Sequence, residues 1–221
     1  MNLLEMFIIT NGRSTFDLVL KSAREQTVDI SVTVIRNMKW IDALNQCLSE
    51  SKSRFYFRVD DDVFLHPMAV EYYQYCLQNG KKTWGVYECK LWEDWTHKPA
   101  GSLKAYNTEI AREIGFHPNR FGKVDKVFSA DLPKHGCKRV KDNSMVGLHS
   151  CATVDDQKRY RKLWRDNNAS VDKNIFSKTF DNIIHIPHKT VQEQYNDIGK
   201  LKVINRKYKT NFFKLLKVKK I

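Results

Sequence analysis

No run of eighteen or more apolar residues occurs in this chain, so no segment is expected to cross a membrane as a helix. There is no Cys-x-x-Cys pair, and the five cysteines (Cys47, Cys76, Cys89, Cys137, Cys151) are odd in number. Disulfides and a structural zinc site are therefore not expected, and reduced, mostly buried thiols in a cytoplasmic protein are. Met1 to Thr10 is apolar but short. It lacks a basic leader and a small-residue cleavage site, so a first strand is expected there instead of a signal peptide. Acidic residues are absent from Ile198 to Ile221, where nine Lys or Arg stand. That segment carries +9 of the net +13 and leaves +4 for residues 1–197.

What is present describes a globular body. Apolar residues make up 42% of 221 and aromatic residues 12%, enough for one domain with a sheet-and-helix core. Met6 to Thr10 reads as a buried strand, broken by Asn11-Gly12-Arg13-Ser14. Phe16, Val19, Leu20 and Ala23 then keep helical spacing, and Asp29 to Ile35 is a β-branched strand. Ile41 to Leu48 is a second helix with Ile41, Leu44, Cys47 and Leu48 on one face. A third strand follows, with Phe55, Phe57 and Val59 alternating, and Met68 to Leu77 forms a helix stopped by Asn79-Gly80. Strands alternating with helices in this way predict right-handed crossovers and a mostly parallel sheet covered on both faces.

The third strand ends in Asp60-Asp61-Asp62, followed by Val63-Phe64-Leu65-His66-Pro67. Three adjacent carboxylates repel one another, and folding alone gives no reason to gather them. A solvated turn would tolerate them; a hard divalent cation would use them. In parallel sheets ligands bind at the carboxyl ends of strands, and Asn11-Gly12 and Asp60 to Asp62 both fall there, on one rim. Further on, Trp92 and Trp95 suit the wall of a sugar pocket, since rings stack on the apolar faces of sugars, and they suit an ordinary core edge equally. Asp125 stands near the start of a helix marked by Val124, Val127, Phe128 and Leu132. The helix dipole favours a carboxylate there, and a general base is the functional alternative. Ser144 to Leu148 is an apolar run ending in His149. His185 and His188 have the chemistry of ligands, but a final packing segment is the expectation for them. Ile204, Tyr208, Phe212, Leu215 and Leu216 lie at near-helical spacing among lysines. That run fits an amphipathic helix on an anionic membrane surface as well as a solvated tail.

Taken in order, these stretches resemble the family 2 glycosyltransferases of the GT-A fold. Ile8-Ile9-Thr10-Asn11-Gly12-Arg13 is similar to the family's first strand and nucleotide loop. Leu20-Lys21-Ser22-Ala23-Arg24-Glu25-Gln26-Thr27 is similar to its SLLAQT helix end, and Ala43-Leu44-Asn45 to its A-x-N. Val59 to Pro67 resembles the stretch carrying the DxD motif. Asp125, Phe128, Leu132 and Gly136 match the spacing of the family's later ED-x-DL-x-x-RL-x-x-x-G pattern, and Val146-Gly147-Leu148-His149 its later histidine. The likeness runs from Phe7 to His149. Three departures stand out: Arg36-Asn37 follows the second strand where the family commonly has an aspartate, Val124 precedes Asp125 where it has glutamate, and Asp131 stands where its RL pair has arginine.

The resemblance implies a single α/β domain over 1–197, with a nucleotide-binding half at 1–80, an acceptor half at 81–150 and a packing segment at 151–197. The basic tail is 198–221. It implies transfer of a sugar from a UDP-, GDP- or dTDP-sugar to a hydroxyl of a glycan or lipid-linked acceptor, with inversion. Asp60 and Asp62, with His149, would hold Mn2+ or Mg2+. Thr10, Asn11, Gly12, Arg13, Asn45, Asp60 and Asp61 would line the donor site, Trp92 and Trp95 would meet the acceptor, and Asp125 would be the catalytic base. A cytoplasmic location follows, with peripheral membrane contact through 198–221. Two other classes remain as expectations. A GT-A-like sugar-phosphate nucleotidyltransferase would need more glycine than Asn11-Gly12-Arg13-Ser14 offers. A non-enzymatic basic module would act on membrane or nucleic acid through the tail, and the chain has no nucleic-acid-binding motif to support the latter.

Overall fold

The structure, a computed structural model, describes residues 3–81, 83–93, 95–96, 98–117, 124–167, 184–198 and 201. The amphipathic run expected over 202–221, with its membrane contact, lies outside them. The elements follow in the order β1 (Leu4–Thr10), α1 (Phe16–Arg24), β2 (Val32–Arg36), α2 (Trp40–Glu50), β3 (Phe55–Asp60), β4 (Val63–Leu65) and α3 (Ala69–Gln78). Then come β5 (Trp84–Glu93), β6 (Lys98–Asn107), α4 (Thr108–Ile114), α5 (Val124–Asp131), a 3-10 turn (Leu132–His135), β7 (Lys138–His149), α6 (Val154–Asn167) and α7 (Val191–Asp197).

One seven-stranded sheet has the order β2-β1-β3-β6-β5-β7-β4. The expected parallel pairing holds where strands and helices alternate: β1 lies parallel to β2 and to β3. Past β3 the sheet is mixed. β6 runs antiparallel to both β3 and β5, because the few residues between β5 and β6 allow only a hairpin return. β5 and β7 are again parallel, and β4 closes the far edge antiparallel to β7.

The faces follow from the period of two. Met6, Ile8, Phe55, Phe57 and Val59 pack with Val19 of α1 and with Tyr73 and Leu77 of α3. Phe7, Ile9 and Tyr56 point the other way, to Leu44 of α2, Ala111 of α4 and Phe128 of α5. β1 is buried along nearly its whole length, as a strand covered on both faces must be.

The place of β4 sets the geometry of the rim. Only Asp61 and Asp62 connect β3 to β4, yet four strand-to-strand steps separate them in the sheet. In a flat sheet those steps would span roughly 19 Å. Three residue-to-residue steps of chain reach only about 11 Å. The sheet must therefore curl, and the register shifts between β5 and β7 supply bends of the kind that bulges make. The aspartates are the link across which the curled sheet meets itself, and His149 arrives there because it pairs with Val63.

That meeting depends on Gly147. A Cβ built there would lie 2.4 Å from the carbonyl oxygen of Phe64 and 3.2 Å from Leu91 Cδ2. The first is backbone of the paired strand and cannot swing away. Gly147→Ala should lower stability by about 1–3 kcal/mol, the usual cost of overpacking, as read from urea unfolding. A loss within experimental error would show that β4 and β7 do not approach as described.

Candidate active site

Asp61 is a buried anchor for the loop after β1. Its Oδ2 accepts from Thr10 Oγ1 at 2.6 Å and from the backbone N–H groups of Asn11 at 3.2 Å and Arg13 at 3.4 Å. Thr15 Oγ1 donates to its carbonyl. Gly12, at φ +78°, makes the turn these bonds require, and its N–H donates to Thr10 Oγ1 at 2.9 Å. Burial pushes the Asp61 carboxyl up to about 6, against the pull of Arg13 and Thr10. Thr10 to Arg13 thus stand on the rim where the sequence placed them, tied there by the aspartate whose role was the least defined.

Asp62 turns into a cavity. Its Oδ2 meets Arg13 Nη1 and lies 3.2 Å from His149 Nε2. The Arg13 guanidinium also stacks 3.6 Å from the centre of the Tyr160 ring on α6, and its Nε lies 3.5 Å from Asp61 Oδ1. His149 Nδ1 faces Glu93 Oε1 at 3.5 Å, and the edge of Trp95 packs on the imidazole at 4.9 Å. Burial opposes charge on Asp62, but Arg13 and then His149 hold its carboxyl well below the ordinary range. Burial likewise opposes protonation of His149, yet Asp62 and Glu93 push it up to about 10. The pocket is closed by Cys151, Gln157, His185 and their neighbours.

Asp60 points to the opposite face with Tyr56 and Arg58, as alternation in β3 requires. Its Oδ1 is buried with no hydrogen bond, while the side chain as a whole is 40% exposed. Burial raises its carboxyl above the ordinary value despite Arg58 Nε at 3.6 Å. Arg58 links Asp60 to Asp125: its Nη1 donates to Asp125 Oδ1 at 3.1 Å, and its guanidinium sits over Trp40 at 4.6 Å. Asp125, in the first turn of α5, also accepts from Lys104 Nζ at 2.6 Å and Tyr106 OH at 3.0 Å. Burial works against its ionisation, but Arg58 and Lys104 hold it well below the usual range. A carboxylate so held is a weak base as it stands.

The sequence missed Arg58, Glu93, Tyr160 and His185. Arg58 had a signal, since a charge in the middle of an apolar strand, two residues before Asp60, must find a partner. The others reach the site from distant elements and had none. Asn45 is exposed on α2, and among the described residues no hydrogen bond joins it to the rim. Trp92 is half-buried against the core, and only Trp95 lines the cavity.

Among the described residues no three His, Cys, Asp or Glu side chains form a ready cage for a metal ion. Mg2+-like sites commonly use one or two carboxylates and leave the remaining positions to phosphate and water. The unbonded Asp60 Oδ1, the ionised Asp62 and His149 Nε2 fit such a donor set. Arg13 now supplies the positive charge on Asp62.

No protein-family profile matches the sequence, and no curated protein matches it. Solved structures match its fold. A mannosyltransferase PcManGT from Pyrobaculum calidifontis, in complex with GDP-Man and Mn2+, aligns over 88% of this chain and 69% of its own at 13% identity, with a TM-score of 0.53. S. aureus TarS 1-349 in complex with UDP aligns over 80% and 70% at 11% identity, with a TM-score of 0.54. The same TarS piece with UDP-GlcNAc gives 80% and 71% at 10% identity, with a TM-score of 0.52. The chain therefore has the GT-A arrangement expected from the sequence.

The His149 contacts predict a pH arm. The folded-state value of about 10 exceeds the ordinary 6.5, so the stability they contribute is full below about pH 6.5 and is lost as pH rises through 10. His149→Gln should cost more stability at pH 6 than at pH 10 in urea unfolding. An equal loss at both values would show that the imidazole is not charged between Asp62 and Glu93.

Proposed function

We propose that this chain is a metal-dependent glycosyltransferase that moves a sugar from a nucleotide-diphosphate donor to a hydroxyl of a glycan or lipid-linked acceptor, with inversion. The observation that carries the proposal is the meeting of Asp62, His149 and Arg13 in one cavity beside the carboxyl ends of β1 and β3, with Asp60 at the end of β3. The fold they sit in is shared with structures that hold GDP-Man, UDP and UDP-GlcNAc.

A bound Mn2+ or Mg2+ would supply Lewis-acid neutralisation of the charge that builds on the departing diphosphate. Asp60, Asp62 and His149 are the residues that would hold it. His149 would ligate as the neutral imidazole. Arg13 would be the cation that faces the diphosphate. Its fork of donors suits phosphate oxygens, and Tyr160 keeps the guanidinium plane oriented. The loop from Asn11 to Arg13, whose N–H groups are taken by Asp61 and Thr10, would line the nucleotide end as a fixed surface.

Asp125 takes the proton of the attacking hydroxyl. Its three donors leave one acceptor position on Oδ2 for that hydroxyl. Loss of a cation partner would raise the carboxyl toward the basicity the step requires. Arg58 and Lys104 keep the carboxylate ionised until the acceptor arrives.

Thermal melts with UDP-, GDP- and dTDP-sugars, with and without Mn2+, test the proposal. At about 100 times Kd the matching donor should add roughly 2.7 kcal/mol of stability only when Mn2+ is present. Asp62→Asn should abolish the Mn2+-dependent part. Stabilisation by no donor under either condition would sink the assignment. Asp125→Asn should lower kcat by about 100-fold or more and leave donor affinity unchanged. If turnover fell less than tenfold while the melting temperature dropped, Asp125 would be an anchor for Arg58 and not the base.

A further inference from the structure

The segment before α7 enters the cavity in an unusual way. His185 is held by its backbone alone: its N–H donates to Gln157 Oε1 at 3.0 Å, and its carbonyl accepts from Gln157 Nε2 at 2.8 Å. Gln157 is buried on α6 and also donates to the carbonyl of Ala152 at 2.7 Å. A second buried amide, Gln194 of α7, accepts from Ser150 Oγ at 2.9 Å and the Cys151 N–H at 2.8 Å. It donates to the carbonyls of Cys151 at 2.9 Å and Lys189 at 3.0 Å. Two glutamines therefore clasp residues 185–194 onto the loop that follows His149.

None of these bonds uses the His185 side chain. Its ring lies against Trp95 at 4.7 Å, tilted by 32°, and lines the same cavity as Arg13, Asp62, His149 and Tyr160. Trp95 packs against both His149 and His185. Burial, then Arg161, lowers the His185 value, so at neutral pH the ring offers one donor and one acceptor. The cavity lining combines cations, Arg13 and His149, with the rings of Trp95 and His185. The first suits a diphosphate; the second suits a sugar, whose C–H faces stack on rings while its hydroxyls seek neutral hydrogen-bonding partners.

We propose that Trp95 and His185 form the compartment that receives the transferred sugar, with His185 a specificity-determining residue that hydrogen-bonds one of its hydroxyls. This rests on the glycosyltransferase assignment above. It moves Trp95 from the acceptor to the donor sugar, and it gives the segment expected only to pack a role in choosing the substrate.

The test compares nucleotide sugars with their own diphosphates. Wild type, His185→Ala and His185→Phe are titrated calorimetrically with UDP-glucose, UDP-N-acetylglucosamine and GDP-mannose, and with UDP and GDP, all with Mn2+. His185→Ala should weaken the sugar nucleotide that wild type prefers by about tenfold, one hydrogen-bonded contact, and change the matching diphosphate by less than about twofold. His185→Phe keeps a ring on Trp95 and should recover only part of the loss. Both variants should melt with wild type, since the clasp is made by backbone. Equal weakening of sugar nucleotide and diphosphate, or no change in either, would overturn the proposal. A wild type that binds none of the probes would instead bring down the glycosyltransferase assignment, and this compartment with it.

Discussion

Three carboxyl groups in consecutive positions at the end of a buried strand are the constraint around which this molecule is built. Side by side they repel, and in a partly dehydrated setting the repulsion is strong. The chain sends them in three directions. Asp60 stays in the alternation of β3 and meets Arg58. Asp61 turns inward and spends its oxygens on the loop after β1. Asp62 opens into the cavity between Arg13 and His149. Each compensation recruits a different element, and those elements make up the rim.

The curl of the sheet makes the recruitment possible. β1 lies beside β3, so Thr10 and Arg13 are near by parallel pairing. His149 is near because β4, separated from Asp60 by two residues, pairs with the end of β7 at the far edge. Arg58 joins the two halves. It contacts both Asp60 and Asp125, so the two carboxylates share one guanidinium. Lys104 and Tyr106, from β6 beside β3, complete the set around Asp125.

Much of this was legible in the chain. The alternation of Phe55, Phe57 and Val59 defined β3 and its face, because side-chain direction in a strand has a period of two. The alternation of strands and helices through β3 gave the parallel pairing, because a crossover of helical length leaves no other return. Where connections shortened, the same logic failed: β6 and β4 are antiparallel, and no local pattern told which strands they would meet. His185 looked like packing because its partners, Gln157 and Trp95, are 28 and 90 positions away.

The sequence by itself determined which residues could carry charge at a strand end, that Asp60 to Asp62 would stand together there, and that Asp125 would stand near a helix start. These are local facts, fixed by spacing and backbone geometry. Only the tertiary structure decided what each carboxylate does. It made Asp61 an anchor, gave Asp62 to Arg13 and His149, and surrounded Asp125 with three donors. The ionisation and availability of a buried group depend on partners that folding brings from far along the chain, and on the water it removes.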